Sequence, residues 1–385
     1  MNLTNFQQAA VKAGNWLVNT QQSKYDDANR GRFYYAVNLE SGYIELSTGW
    51  QTGFAVMALL SLHNLTQDQK YLDAAKQGID YIKSLQILDP RKKNLFGALR
   101  EETPQTQWLH PRDALSAGWA LLIYGCYTND FDSIERAELF GDWMINYAFR
   151  GDWPLCTINL GPKGAPADDL QGSFQSGGIL FFIDLFKQTQ DMRYYDTALR
   201  MSDYYVDHFV DDKGVIQVLI DPIGNNPGVN DTEKWPLPWQ RMHQVNDDFG
   251  GIALAGSYDL FKKEIYKQRM NAYFNWIQSV ENDDGSFLNP VMEVGSATVP
   301  IFLNSFRSLA EDEQLSPLNE LNQRSLEFLM SIQQDSDDVN INGAFMGMDN
   351  KCRDGLGEWV NIRCTAYAII ALLQQSGHSI FPKND

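Results

Sequence analysis

The sequence predicts an all-α fold, a closed ring of six helical hairpins or (α/α)6 toroid. Three observations predict it. Amphipathic helical segments alternate with segments that are apolar nearly all round, six times over. The connections alternate too, mostly short after an apolar segment and mostly long before one. One unit also reappears: Thr66-Gln-Asp-Gln-Lys-Tyr-Leu-Asp-Ala-Ala75 returns as Thr189-Gln-Asp-Met-Arg-Tyr-Tyr-Asp-Thr-Ala198, an offset of 123 residues. A fixed period means one supersecondary unit stacked on itself.

Residues 5–20 carry Phe6, Ala9, Ala10, Ala13, Trp16 and Leu17, helical spacing with one apolar face. Residues 48–63 form the first all-apolar helix, and a helix of that kind is buried on every side. The next amphipathic helix, 69–85, presents Tyr71, Ala74, Ala75, Ile79 and Ile82. Further outer-type helices are expected at 132–148, 193–209, 264–280 and 317–333, and inner-type helices at 114–127, 172–187, 249–261, 295–309 and 359–375. A weaker echo follows several outer helices, a Gly-x-Phe step at Gly31-Arg-Phe33, Gly285-Ser-Phe287 and Gly343-Ala-Phe345. The long connections, 22–46, 87–113, 150–171, 211–247, 281–294 and 334–358, should emerge at one end, where the inner helices begin. Long loops on a rigid scaffold are where function usually sits.

No Pro/Gly/Ser linker or charge block interrupts the 385 residues, so a single domain, 1–385, is expected. The formal net charge of −18 disfavours nucleic acid and anionic membranes as partners. A small molecule or oligosaccharide is the expected partner, and oligomeric state stays open. Cys126, Cys156, Cys352 and Cys364 form no C-x-x-C pair, which fits free thiols in a reducing compartment. No basic segment followed by an apolar core opens the chain, so the cytoplasm is expected, or the periplasm had a leader been removed.

Acids mark the start of every inner helix: Glu45, Asp113, Asp169, Asp247 or Asp248, Glu293 and Glu358. An acid there caps backbone N–H groups and suits the helix dipole, so capping explains any one of them. Together they converge on one mouth. Helix axes about 8–10 Å apart put opposite members of a six-ring roughly 20 Å apart. Acids from nearby units can then reach the ~6.5–9.5 Å of an inverting glycosidase pair. Asp248 is the first candidate for the acid, because Trp235, Trp239, Arg241 and His243 precede it and desolvation beside aromatics raises a carboxyl pKa. Glu45, Asp113 or Asp169 would activate water, with His110 or His243 orienting substrate.

Trp50, Trp108, Trp119, Trp153, Trp235, Trp239 and Trp359, joined by Tyr34, Tyr35 and Tyr43, crowd the long loops and inner-helix starts. Each alone reads as packing; as a set they suit a cleft that stacks flat faces such as sugar rings. Arg112, Arg241 and Arg363 could fork onto a sugar carboxylate. The chain contains no H-E-x-x-H, Walker A, G-x-S-x-G or dinucleotide fingerprint, so no metal or cofactor is expected. Asp335-Ser-Asp-Asp338 has the D-x-D-D form of class II terpene cyclases but reads better as a solvated turn.

In its repeat plan, its Gly-rich inner-helix starts and its Thr189 to Ala198 unit, the whole chain resembles the six-hairpin (α/α)6 glycosidase-like superfamily. That group includes unsaturated glucuronyl hydrolases and toroidal lyases and epimerases. The resemblance implies an enzyme that uses inner-helix-start acids, such as Asp248 or Glu45, as acid or base. The leading expectation is hydrolysis of glycosidic bonds in an oligosaccharide by carboxylate acid/base catalysis in a central cleft. A polysaccharide lyase or uronyl epimerase, a terpene-cyclase-like enzyme and a non-catalytic glycan-binding protein are the alternatives.

Overall fold

The computed structural model describes residues 3–25, 27–161, 171–220, 249–288, 291–347 and 358–381. The chain divides into two compact units, one from Met1–Tyr81 with Val280–Asp385, the other from Ile82–Ser279.

The first unit contains α1 (Asn5–Thr20), α2 (Gly49–Thr66), most of α3 (Gln69–Leu85), α10 (Gly295–Arg307), α11 (Asp312–Ser331) and α12 (Ile362–Gln374). Here α12 packs between α2 and α10, and every one of its residues is buried, as its unbroken apolar run requires. The amphipathic α1 lies on α12 and α2, and α11 lies on α10. Thr4 and Gln7 cap α1 reciprocally, Gln7 N to Thr4 Oγ1 at 3.3 Å and Thr4 N to Gln7 Oε1 at 3.0 Å. A small antiparallel sheet, in the order β2 (Ile44–Leu46), β1 (Tyr34–Asn38), β5 (Trp359–Asn361), leads into α2 and α12.

The second unit contains α4 (Pro111–Thr128), α5 (Phe131–Trp143), α6 (Gly177–Thr189), α7 (Met192–His208), α8 (Gly250–Phe261) and nearly all of α9 (Glu264–Val280). Its inner row runs α4–α6–α8, with α5 on α4 and α7 against α6 and α8. Inside the row, Trp119 Nε1 donates to Asp184 Oδ2 at 2.7 Å; between α7 and α8 the Ser202 and Ser257 hydroxyls meet at 2.8 Å.

The Gly-x-Phe echo turns out to be a structural device. Gly343 has φ +92°, and a Cβ there would lie 2.5 Å from the Lys12 carbonyl oxygen of α1. Only glycine accepts that dihedral and that approach together. The same step presses Gly31 onto α3 and Gly285 onto α11. Two further copies, Gly97 on α5 and Gly214 on α9, escaped the sequence pattern because Leu99 and Ile216 stand where the others have Phe. Around Gly343, Trp16 Nε1 donates to the Asn340 carbonyl at 2.7 Å, Gln333 Nε2 to that of Ala9 at 2.9 Å, and Lys12 pairs with Asp335 at 2.8 Å. The first helix is thereby fastened to the last hairpin.

Several boundaries move. Residues 359–361 form a strand, so Trp359 does not open an inner helix; its pairing with β1 claims the backbone first. The segment expected to begin an inner helix at 172 opens as a 3-10 turn over Ser173–Ser176. The outer helix expected at 132–148 ends in a π turn over Met144–Ala148. The helix expected from 317 begins at Asp312, where Asp312 and Glu313 suit the dipole, leaving Pro317 inside it.

Candidate functional site

In the second unit, helix α4 sets one group of candidates. Pro111 occupies its first turn, where a fixed φ and a missing N–H cost nothing, and His110 is the N-cap residue. Asp113 lies in the first turn, inside the helix rather than before it. Pairing of β3 (Trp108–Leu109) with β4 (Ile158–Asn159) fixes the approach to His110. Glu101 enters from the loop that follows the Gln86–Leu99 bridge.

These residues converge. His110 Nδ1 stands 3.3 Å from Asp113 Oδ2 and 3.6 Å from Glu101 Oε2, while Arg112 Nε is 3.3 Å from Asp113 Oδ1. The Arg112 guanidinium lies 5.5 Å from the centre of the Phe174 ring, and the Trp108 ring 6.5 Å from His110. Burial opposes a charge on His110, but its hydrogen bond with Asp113 and the field of Glu101 outweigh that and raise its pKa above the ordinary value. Side-chain exposures of 10% for Glu101, 18% for Asp113 and 21% for His110 leave the group reachable from solvent. The sequence reading took in His110, Arg112, Asp113 and Trp108 and missed Glu101. Its only sequence signal was an acidic pair, Glu101-Glu102, on the loop leading to an inner helix.

In the first unit a second group forms. The Arg363 guanidinium sits 5.8 Å from the Trp50 ring centre, Tyr35 meets Trp50 edge-on at 6.4 Å, and Tyr43 meets Trp359 edge-on at 6.2 Å. Trp359 is 7% exposed, and among the described residues its Nε1 has no hydrogen-bond partner. Glu45 lies on β2 opposite Ala36, at the sheet rather than at the helix start. Asp169, Trp235, Trp239, Arg241, His243 and Asp248 lie outside the described residues.

The D-x-D-D segment is engaged locally. Asp335 pairs with Lys12, and Asp338 Oδ1 accepts from Asn340 N at 2.9 Å. Among the described residues no helix is long and apolar enough to cross a membrane.

No family model matches the chain, and no curated protein matches it in sequence. Solved structures do match. An unsaturated glucuronyl hydrolase specific for heparin superposes with a TM-score of 0.73 at 12% identity over 96% of both chains. A sugar epimerase from a ruminal bacterium gives 0.71 at 14% identity, over 97% of this chain and 98% of its own. The fold is an (α/α)6 toroid. A third toroid, an α-mannanase from Bacteroides thetaiotaomicron, gives 0.67 at 12% identity over 97% and 96%. Hydrolases and an epimerase on one toroid leave the reaction of this chain to its side chains.

Proposed function

We propose that this toroid is a carbohydrate-active enzyme that hydrolyses glycosidic bonds of an oligosaccharide by carboxylate acid/base catalysis. The observation that carries the reading is the setting of Asp113 at the start of an inner helix, between His110 and Arg112. A half-buried carboxylate in that setting is suited to take a proton from water as that water attacks the anomeric carbon. The leaving-group oxygen then needs a proton from a second acid, for which Asp248 is the first choice on its sequence neighbours.

Epimerisation is the second reading, favoured by a histidine between two carboxylates and by the likeness to a sugar epimerase. The test is incubation with a panel of neutral and uronyl oligosaccharides in D2O, followed by NMR. New reducing ends support hydrolysis; a deuterated, inverted ring carbon with the chain intact supports epimerisation. On the substrate found, Asp113→Asn should lower turnover about 10²–10⁴-fold with the circular dichroism spectrum unchanged. Near-normal turnover would remove Asp113 from the reaction, and saturable binding without any conversion would make the protein a glycan binder.

A further inference from the structure

We propose that Glu101, His110 and Asp113 form a binding site for one divalent transition-metal ion, Zn2+ in the first instance. Each of the three side chains offers one ligand atom, and those atoms lie within 4.8 Å of one another. A tetrahedral ion bonded at about 2.0–2.2 Å spaces its ligand atoms about 3.2–3.6 Å apart. The two measured spacings from His110 Nδ1, 3.3 and 3.6 Å, fall in that range.

The donor set also fits. One imidazole nitrogen and two carboxylate oxygens suit Zn2+, and three protein ligands leave a fourth position for water. Asp113 divides its two oxygens: Oδ1 faces Arg112 and Oδ2 faces His110, so the ion and the guanidinium do not compete for one atom. The backbone holds the arms in place. Asp113 N and Ala114 N donate to the His110 carbonyl at 3.0 and 2.9 Å, and Arg100 N donates to the Leu85 carbonyl at 3.0 Å beside Glu101. A site assembled before the ion arrives costs little ordering on binding.

The consequence for turnover rests on the reading of Asp113 as the base. With the ion bound, Asp113 Oδ2 is a ligand, so Zn2+ at saturating concentration should suppress hydrolysis and a chelator restore it. The binding itself is tested without any substrate. Untagged full-length protein is dialysed against Zn2+ and its metal content measured, with Glu101→Gln and His110→Gln variants alongside, each checked by circular dichroism. One equivalent per chain, with affinity weakened at least about tenfold in both variants, is the expected result. No stoichiometric uptake, or uptake unchanged in both variants, overturns the site. That failure would be distinct from failure of the hydrolase reading, which Asp113→Asn decides by turnover in metal-free buffer.

Discussion

Replacing Gly343 by alanine should loosen the first helix from the last hairpin. Its φ of +92° costs an L-residue about 1–2 kcal/mol. The new Cβ would fall 2.5 Å from the Lys12 carbonyl oxygen, so α1 or the turn must shift, at a further cost of about 1–3 kcal/mol. The sum is about 2–5 kcal/mol. With unfolding entropy near 2.1 cal/mol/K per residue, a chain of 385 residues loses about 1.2 °C of midpoint per kcal/mol. The thermal midpoint should therefore drop by about 2.5–6 °C. Gly42 supplies the control: its φ is +69°, and nothing lies within 4 Å of its would-be Cβ. Gly42→Ala should carry the dihedral cost alone, a drop of about 1–2.5 °C. Calorimetry on both variants, with amide exchange followed in α1, measures the difference. Equal shifts for the two, or unchanged protection in α1, would refute the view that carbonyl contact makes Gly343 necessary.

Two further outcomes follow from the second unit. Trp119→Phe keeps an aromatic ring in the inner row but removes the 2.7 Å bond to Asp184, and should cost about 1.5–3 kcal/mol in urea denaturation; an unchanged midpoint would show that bond to be neutral. Lys83 bridges Asp130 and Asp132 at 2.8 Å each. Burial works against the Asp130 charge, but the bond from Lys83 outweighs it, and the same lysine holds Asp132 down, so both carboxyl pKa values fall below normal. Stability from such depressed acids is present above their unfolded pKa, about 3.9, and is lost as pH falls through the lower folded values. Lys83→Met should flatten acid unfolding below about pH 4, and a parallel acid limb in wild type and variant would discard the linkage.

Much of the fold was legible because the inner helices are apolar on all sides. A segment such as Gly49–Thr66 has no polar face to offer water, so its burial follows from sequence alone. What stayed hidden depends on partners distant in the chain. Trp359 reads as a helix start until β1, more than three hundred residues earlier, claims its backbone. The copies at Gly97 and Gly214 were masked because the step needs a glycine at positive φ and only some apolar residue after it, not specifically Phe. At the candidate site, His110 and Asp113 were legible because both belong to one helix start. Glu101 reaches them only after its loop folds back, and nothing in local sequence encodes that return.

The fastening of α1 also sets an order of assembly during synthesis. Trp16 and Lys12 leave the ribosome before their partners Asn340 and Asp335, which follow 324 and 323 residues later. At about 5–20 residues per second, that interval is roughly 15–65 s. The unit from Ile82 to Ser279 is contiguous in sequence and can consolidate while translation continues. The unit built from both ends of the chain cannot. Its first helices complete their packing only when the last hairpin emerges.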